Sequence, residues 1–77
     1  MSPFIPVTAT DPSGAIVKTL AITVVPETGE YILKAATTEA GEYRGSENLA
    51  RGTDLDVLGE YMGDALDTLE DAGWSVS

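Results

Sequence analysis

"AIVKTLAITVVPETGEYILKAATT", residues 15–38, decides the fold: two runs rich in β-branched and apolar residues flank the punctuation Pro26-Glu27-Thr28-Gly29. In the first run Leu20, Ile22 and Val24 share one face of an extended chain and Thr19, Ala21 and Thr23 the other; in the second, Tyr31, Leu33 and Ala35 oppose Glu30 and Lys34. One face is dry and the other wetter, the pattern of an antiparallel sheet packed on one side only. Gly29 stands where a three-residue hairpin loop calls for a left-handed residue. The two runs therefore pair as neighbouring antiparallel strands over about 15–25 and 30–38.

Towards the N-terminus, "FIPVTAT" (4–10) is a third β-rich run, joined to the pair through "DPSG" (11–14), where Pro12 supplies the fixed φ of a turn and Gly14 can take φ > 0. Pro3 and Pro6 lack amide donors, which places this strand at a sheet edge. Towards the C-terminus, "EAGEYRGSENLARG" (39–52) is interrupted by Gly41, Gly45, Ser46 and Gly52 and reads as irregular. It has room for a short strand at 42–45 or one helical turn capped by Ser46, with Glu47 and Arg51 paired at i,i+4 and Gly52 as its stop.

Beyond it, Thr53 or Asp54 is a good N-cap and Gly73 a good residue to end a helix, so residues 54–72 are expected to be helical, with Trp74 folding back to seal one end of the core. The whole reads as an α+β domain over residues 1–77: an antiparallel three- to four-stranded β-meander followed by one long amphipathic α-helix packed on one sheet face. A chain of 77 residues supports one modest core rather than a deep cleft between domains.

On a helical wheel Leu55, Leu58, Tyr61, Met62, Ala65, Leu66 and Leu69 form one broad arc, and Asp56, Glu60, Asp64, Asp67 and Asp71 stack along the opposite side. Asp54 and Glu70 extend that stripe. Residues 52–77 hold seven acids and no base, a charge of −7, against six acids and four bases in residues 1–51; the total is −9. Neighbouring acids at i,i+4 repel by roughly 0.2–0.5 kcal/mol each, with no interleaved cation to offset them. Successive carboxylates lie about 6 Å apart along the helix, close to the spacing of phosphates along a nucleic-acid strand. The stripe is thus a candidate mimic of phosphate charge, directed at the basic surface of a nucleic-acid-binding protein. The alternative is a structural or assembly module, a homodimer joined through the helix or an open strand edge, whose acidic face serves only solubility.

Gly59 and Gly63 lie four apart within the helix, at the border of stripe and arc, where each costs roughly 0.8–1 kcal/mol relative to alanine. They mark a close approach of backbone, either to the domain's own sheet or to a second protein, another copy of the chain in a homodimer included. Tyr43, Arg44 and Arg51 form a secondary candidate patch, since aromatic and arginine side chains dominate binding hot spots; the competing reading has Tyr43 packed at a strand end and the arginines paired to Glu42 and Glu47.

Other chemistry is disfavoured. With no cysteine and no histidine there are no disulfides, thiolate nucleophiles or imidazole ligands. "DLDVLGEYMGDA" (54–65) opens like a calcium loop but has Leu58 and Ala65 where ligands belong, so no metal or other cofactor is expected. No nucleophile elbow, Walker loop or dinucleotide fingerprint occurs, so no catalytic residue is named and the chain is read as a non-enzyme. Four scattered cations argue against direct nucleic-acid or anionic-membrane binding, and no apolar run can span a bilayer. The expectation is a soluble cytoplasmic protein, in the host cell's cytoplasm if viral. In overall character, with no motif matched, the chain resembles the small acidic inhibitors that phages deploy against host nucleic-acid-handling defences, anti-CRISPR proteins among them.

Overall fold

The structure, a computed structural model, describes residues 5–77. The elements are β1 (Val7–Thr10), β2 (Ile16–Val25), β3 (Glu30–Glu39), β4 (Glu42–Gly52), α1 (Leu55–Asp71) and β5 (Ser75–Val76). The strands make one antiparallel sheet in the order β4-β3-β2-β1-β5, and α1 packs on one face of it. The fold is α+β as expected, with five strands rather than three or four.

The central hairpin follows the hydrophobic alternation. Leu20 pairs with Ala35, Ile22 with Leu33 and Val24 with Tyr31, so the apolar positions of β2 and β3 fall on the same face. Leu20, Ile22, Leu33 and Ala35 are buried there under Leu58 and Met62 of α1, together with Val7 of β1. Four residues, not three, connect Val25 to its partner Glu30, with Gly29 left-handed at φ 72° and its amide donating to the Val25 carbonyl at 2.8 Å.

The β1–β2 turn is closed by Asp11. Its carboxylate accepts from the Ile16 amide at 2.9 Å and from the Ser13 hydroxyl at 2.8 Å, and its carbonyl accepts from the Gly14 amide at 2.9 Å. Those donors, led by the Ile16 amide, hold the Asp11 carboxyl below its ordinary range.

Residues 39–52 are not irregular. Glu39 and Glu42 face each other across Ala40-Gly41, and both turn residues have positive φ (52° and 83°), the backbone of a type I′ hairpin. The strand that follows is 11 residues long. Register shifts opposite Leu33/Lys34 and Thr37/Thr38 leave Leu49 and Arg44 without cross-strand partners, and Gly45 (φ 122°) provides the backbone freedom beside the second bulge. Of the residues that read as breakers, Gly41 lies in the turn, Gly45 beside a bulge, and Ser46 and Gly52 in regular ladder pairs with Ala36 and Tyr31, so the helical turn with its Glu47–Arg51 pair does not form.

The first strand is shorter than 4–10 and is not at the edge: β5 pairs outside it, with Ala9 opposite Val76 and Thr10 opposite Ser75. Pro6 precedes β1 and removes no ladder donor, while Pro3 and Phe4 lie outside the described residues. From the β4 edge α1 carries the chain to the opposite edge. Its 17 residues span about 25 Å at 1.5 Å each, enough to cross a five-stranded sheet about 19 Å wide.

The helix is bounded as its termini predict. The Asp54 side chain accepts from the amides of Asp56 (3.0 Å) and Val57 (3.4 Å). At the other end Gly73, at φ 94°, donates to Glu70 at 2.9 Å and Trp74 donates to Leu69 at 3.0 Å, the paired bonds of a Schellman motif. Trp74 is half-buried but does not seal the core; it stands beside Lys18, whose Nζ lies 6.0 Å from the ring centroid. Val76 packs against the core instead.

Candidate acidic interface on the helix

The face of α1 away from the sheet is built from Asp56, Glu60, Asp64, Asp67, Glu70 and Asp71, all exposed, and Asp54 is exposed at its N-terminal end. Burial of Leu58 and Met62, with Leu55, Ala65, Leu66 and Leu69 packed around the same core, fixes the helix's rotation and turns the acids outward. Asp54 differs from the rest because its carboxylate is occupied in capping the helix.

Among the described residues none of these carboxylates has a cationic partner. The ion pairs among the described residues all lie on the sheet: Arg44 with Glu39 (3.6 Å) and Glu42 (3.5 Å), and Arg51 with Glu30 (3.0 Å). The acids also continue into the last turn of α1, where there is no basic residue and where the negative end of the helix dipole opposes Glu70 and Asp71. A helix optimised for its own stability would place lysine or arginine there.

Two exposed apolar side chains adjoin the stripe, and one of them departs from the expected arrangement. Tyr61, counted in the apolar arc, is 52% exposed, and Val57 one turn earlier is 40% exposed. They flank the acids on the side of α1 nearer β4, where Leu49 is also exposed and a crevice of about 130 Å³ runs beside Ala65 and Leu69. The signal for Val57 was on the wheel, where it falls outside the buried arc; Tyr61 lies at that arc's margin, and hydrophobicity alone misassigned it.

Gly59 and Gly63 do not pack on the domain's own sheet. A Cβ placed at either position meets nothing within 4 Å, so neither is required by close approach inside the fold. The secondary patch is also not one patch. Tyr43 (67% exposed) and Arg44 lie near the start of β4 and Arg51 near its end, about 20 Å away at the rise of an extended chain. Arg44 pairs with Glu42, as one reading had it, whereas Arg51 pairs with Glu30 rather than Glu47.

Among the described residues no three potential ligand side chains converge on a metal position, and no helix is long and apolar enough to cross a membrane. No protein-family model matches the chain, and neither the characterised proteins nor the solved structures show a significant similarity to it.

Proposed function

We propose that the chain is a non-catalytic binding protein that presents the acidic face of α1 to a basic, nucleic-acid-binding surface of a partner protein and blocks it by standing in for phosphates. The observation that carries this reading is the helix face without cationic partners, maintained against both i,i+4 repulsion and the helix dipole, while Glu30, Glu39 and Glu42, three of the four acids in the strands, have arginine partners. Charge that served only solubility would gain nothing from segregation onto one element. The exposed Val57 and Tyr61 supply apolar contact at the rim of the same face, which complementary charge alone lacks. In this reading the protein acts as an inhibitor of the kind phages use against host defence, in the cytoplasm of the host.

The test is capture from lysate of the source cell on immobilised wild type and on a variant carrying Asp56→Asn, Glu60→Gln, Asp64→Asn and Asp67→Asn. A nucleic-acid-binding protein retained by the wild type alone, released by moderate salt and displaced by added duplex DNA, supports the proposal. Equal retention on both, or a captured partner that DNA does not displace, defeats it.

A further inference from the structure

Glu47 is the strand acid that has no arginine partner, and its position is informative. It stands opposite Ala35, whose side chain is buried under α1, so Glu47 lies on the helix-bearing side of the sheet. There it lines the crevice of about 130 Å³ between β4 and α1, beside the exposed Leu49. The crevice is open because two small residues wall it, Ala35 from the sheet and Ala65 from the helix, whereas Leu58 and Met62 fill the contact elsewhere.

The helix supplies the other wall. Thr68 lines the crevice, and the residues that share its flank at i,i+3 and i,i+4 spacing are Val57, Tyr61, Asp64 and Asp71. An apolar hole of one side chain's volume is therefore flanked by carboxylates, Asp64 and Asp71 from α1 and Glu47 from β4. The cation that lines it, Lys18, is on β2, two strands from Glu47, with its ammonium over the Trp74 ring.

We propose that this crevice takes an apolar side chain of leucine or methionine size from a basic segment of the partner protein, with a lysine or arginine on either side of it reaching Asp64, Asp71 and Glu47. The inference rests on the reading of α1 as an acidic interface and adds what charge alone does not specify, which basic surface is accepted. A surface made only of cations leaves the crevice and Leu49 in water. A surface with one apolar side chain set among its cations covers both.

The experiment is a fluorescence-anisotropy titration of the full chain with two labelled nonapeptides of lysine and arginine, one with leucine at its centre and one with serine there. In moderate salt the leucine peptide is expected to bind about tenfold tighter, the ratio for removing one such side chain from water. Ala65→Leu, which fills the crevice from the helix side, should abolish that preference and leave the serine peptide's affinity unchanged. The variant with Asp56, Glu60, Asp64 and Asp67 neutralised should weaken both peptides. Equal affinities on the wild type, or a preference that survives Ala65→Leu, overturn the inference and leave the acidic interface standing. No binding of either peptide at low salt overturns the interface and the inference together. Should Ala65→Leu fail to fold, Leu49→Ser at the exposed mouth of the crevice is the second variant; it must reduce the preference for leucine, and an unchanged preference overturns the inference.

Discussion

Glu30 and Arg51, 21 positions apart in the chain, are joined by two parallel hydrogen bonds, Nε to Oε2 and Nη2 to Oε1, each 3.0 Å. The pair ties the first residue of β3 to the end of β4, the last residues of the sheet before the chain leaves for α1. The Arg51 hydrogen bonds and then the Thr28 hydroxyl hold the Glu30 carboxyl below its ordinary value of 4.5, and Glu30 in turn raises Arg51. A carboxyl with a depressed folded-state pKa contributes stability above its unfolded value and loses it as pH falls through the folded one. Glu30→Gln should therefore lower the melting temperature slightly at neutral pH, and the difference from wild type should vanish as the pH drops below 4.5 towards the depressed value. Thermal melts of both proteins across that range check it; a difference that persists in acid would rule out the charged pair as its source.

Ala40 is the one non-glycine residue at positive φ among those described, at 52°. An L-residue there costs roughly 1–2 kcal/mol against its Cβ, of which glycine's greater freedom in the unfolded chain takes back about 0.5–1. Ala40→Gly should stabilise the domain by up to about 1 kcal/mol, and Ala40→Val should destabilise it. Denaturant unfolding measures both.

The open space beside Gly59 and Gly63 makes Gly59→Ala and Gly63→Ala stabilising by about 0.8–1 kcal/mol each, the full difference in helix propensity. If either glycine serves a contact with a partner, the variant will be more stable and bind less well; measuring melting and capture on the same protein separates the two effects.

Leu58 is 2% exposed at the centre of the helix–sheet contact. Leu58→Ala removes a side chain from a core with few others to collapse around it and should cost about 2–5 kcal/mol. In a domain this small that approaches the whole stability, so the variant is expected to lose its cooperative thermal transition.

What could be read from the residues depended on whether one periodicity prevailed. β2, β3 and α1 each show a single period, and their inward faces, Leu20–Ile22, Leu33–Ala35 and Leu58–Met62, were legible without coordinates. β4 was not, because it is an edge strand with little buried on either face, and Gly41 in the turn before it and Gly45 beside one of its two bulges look like loop residues in one dimension. β5 is two residues long and exists only because α1 returns the chain beside β1, which no local pattern encodes. The acidic stripe was legible as charge, and its lack of partners could be judged only once Arg44 and Arg51 were seen to spend theirs on β3 and β4.

The pairing of Thr10 with Ser75 also sets an order of events. The three hairpins from β1 to β4 close short loops and can form early, whereas the β1–β5 ladder must bring together positions 65 and 67 residues apart and carries a larger closure entropy for two residue pairs and the Thr8–Ser77 hydrogen bonds beyond them. That ladder should join last in folding and open first in thermal fluctuation, exposing the outer edge of β1 while the acidic helix and the central hairpin stay intact. The edge most vulnerable to proteolysis or strand exchange is therefore the one farthest from β4, and it is guarded by the least cooperative element of the molecule.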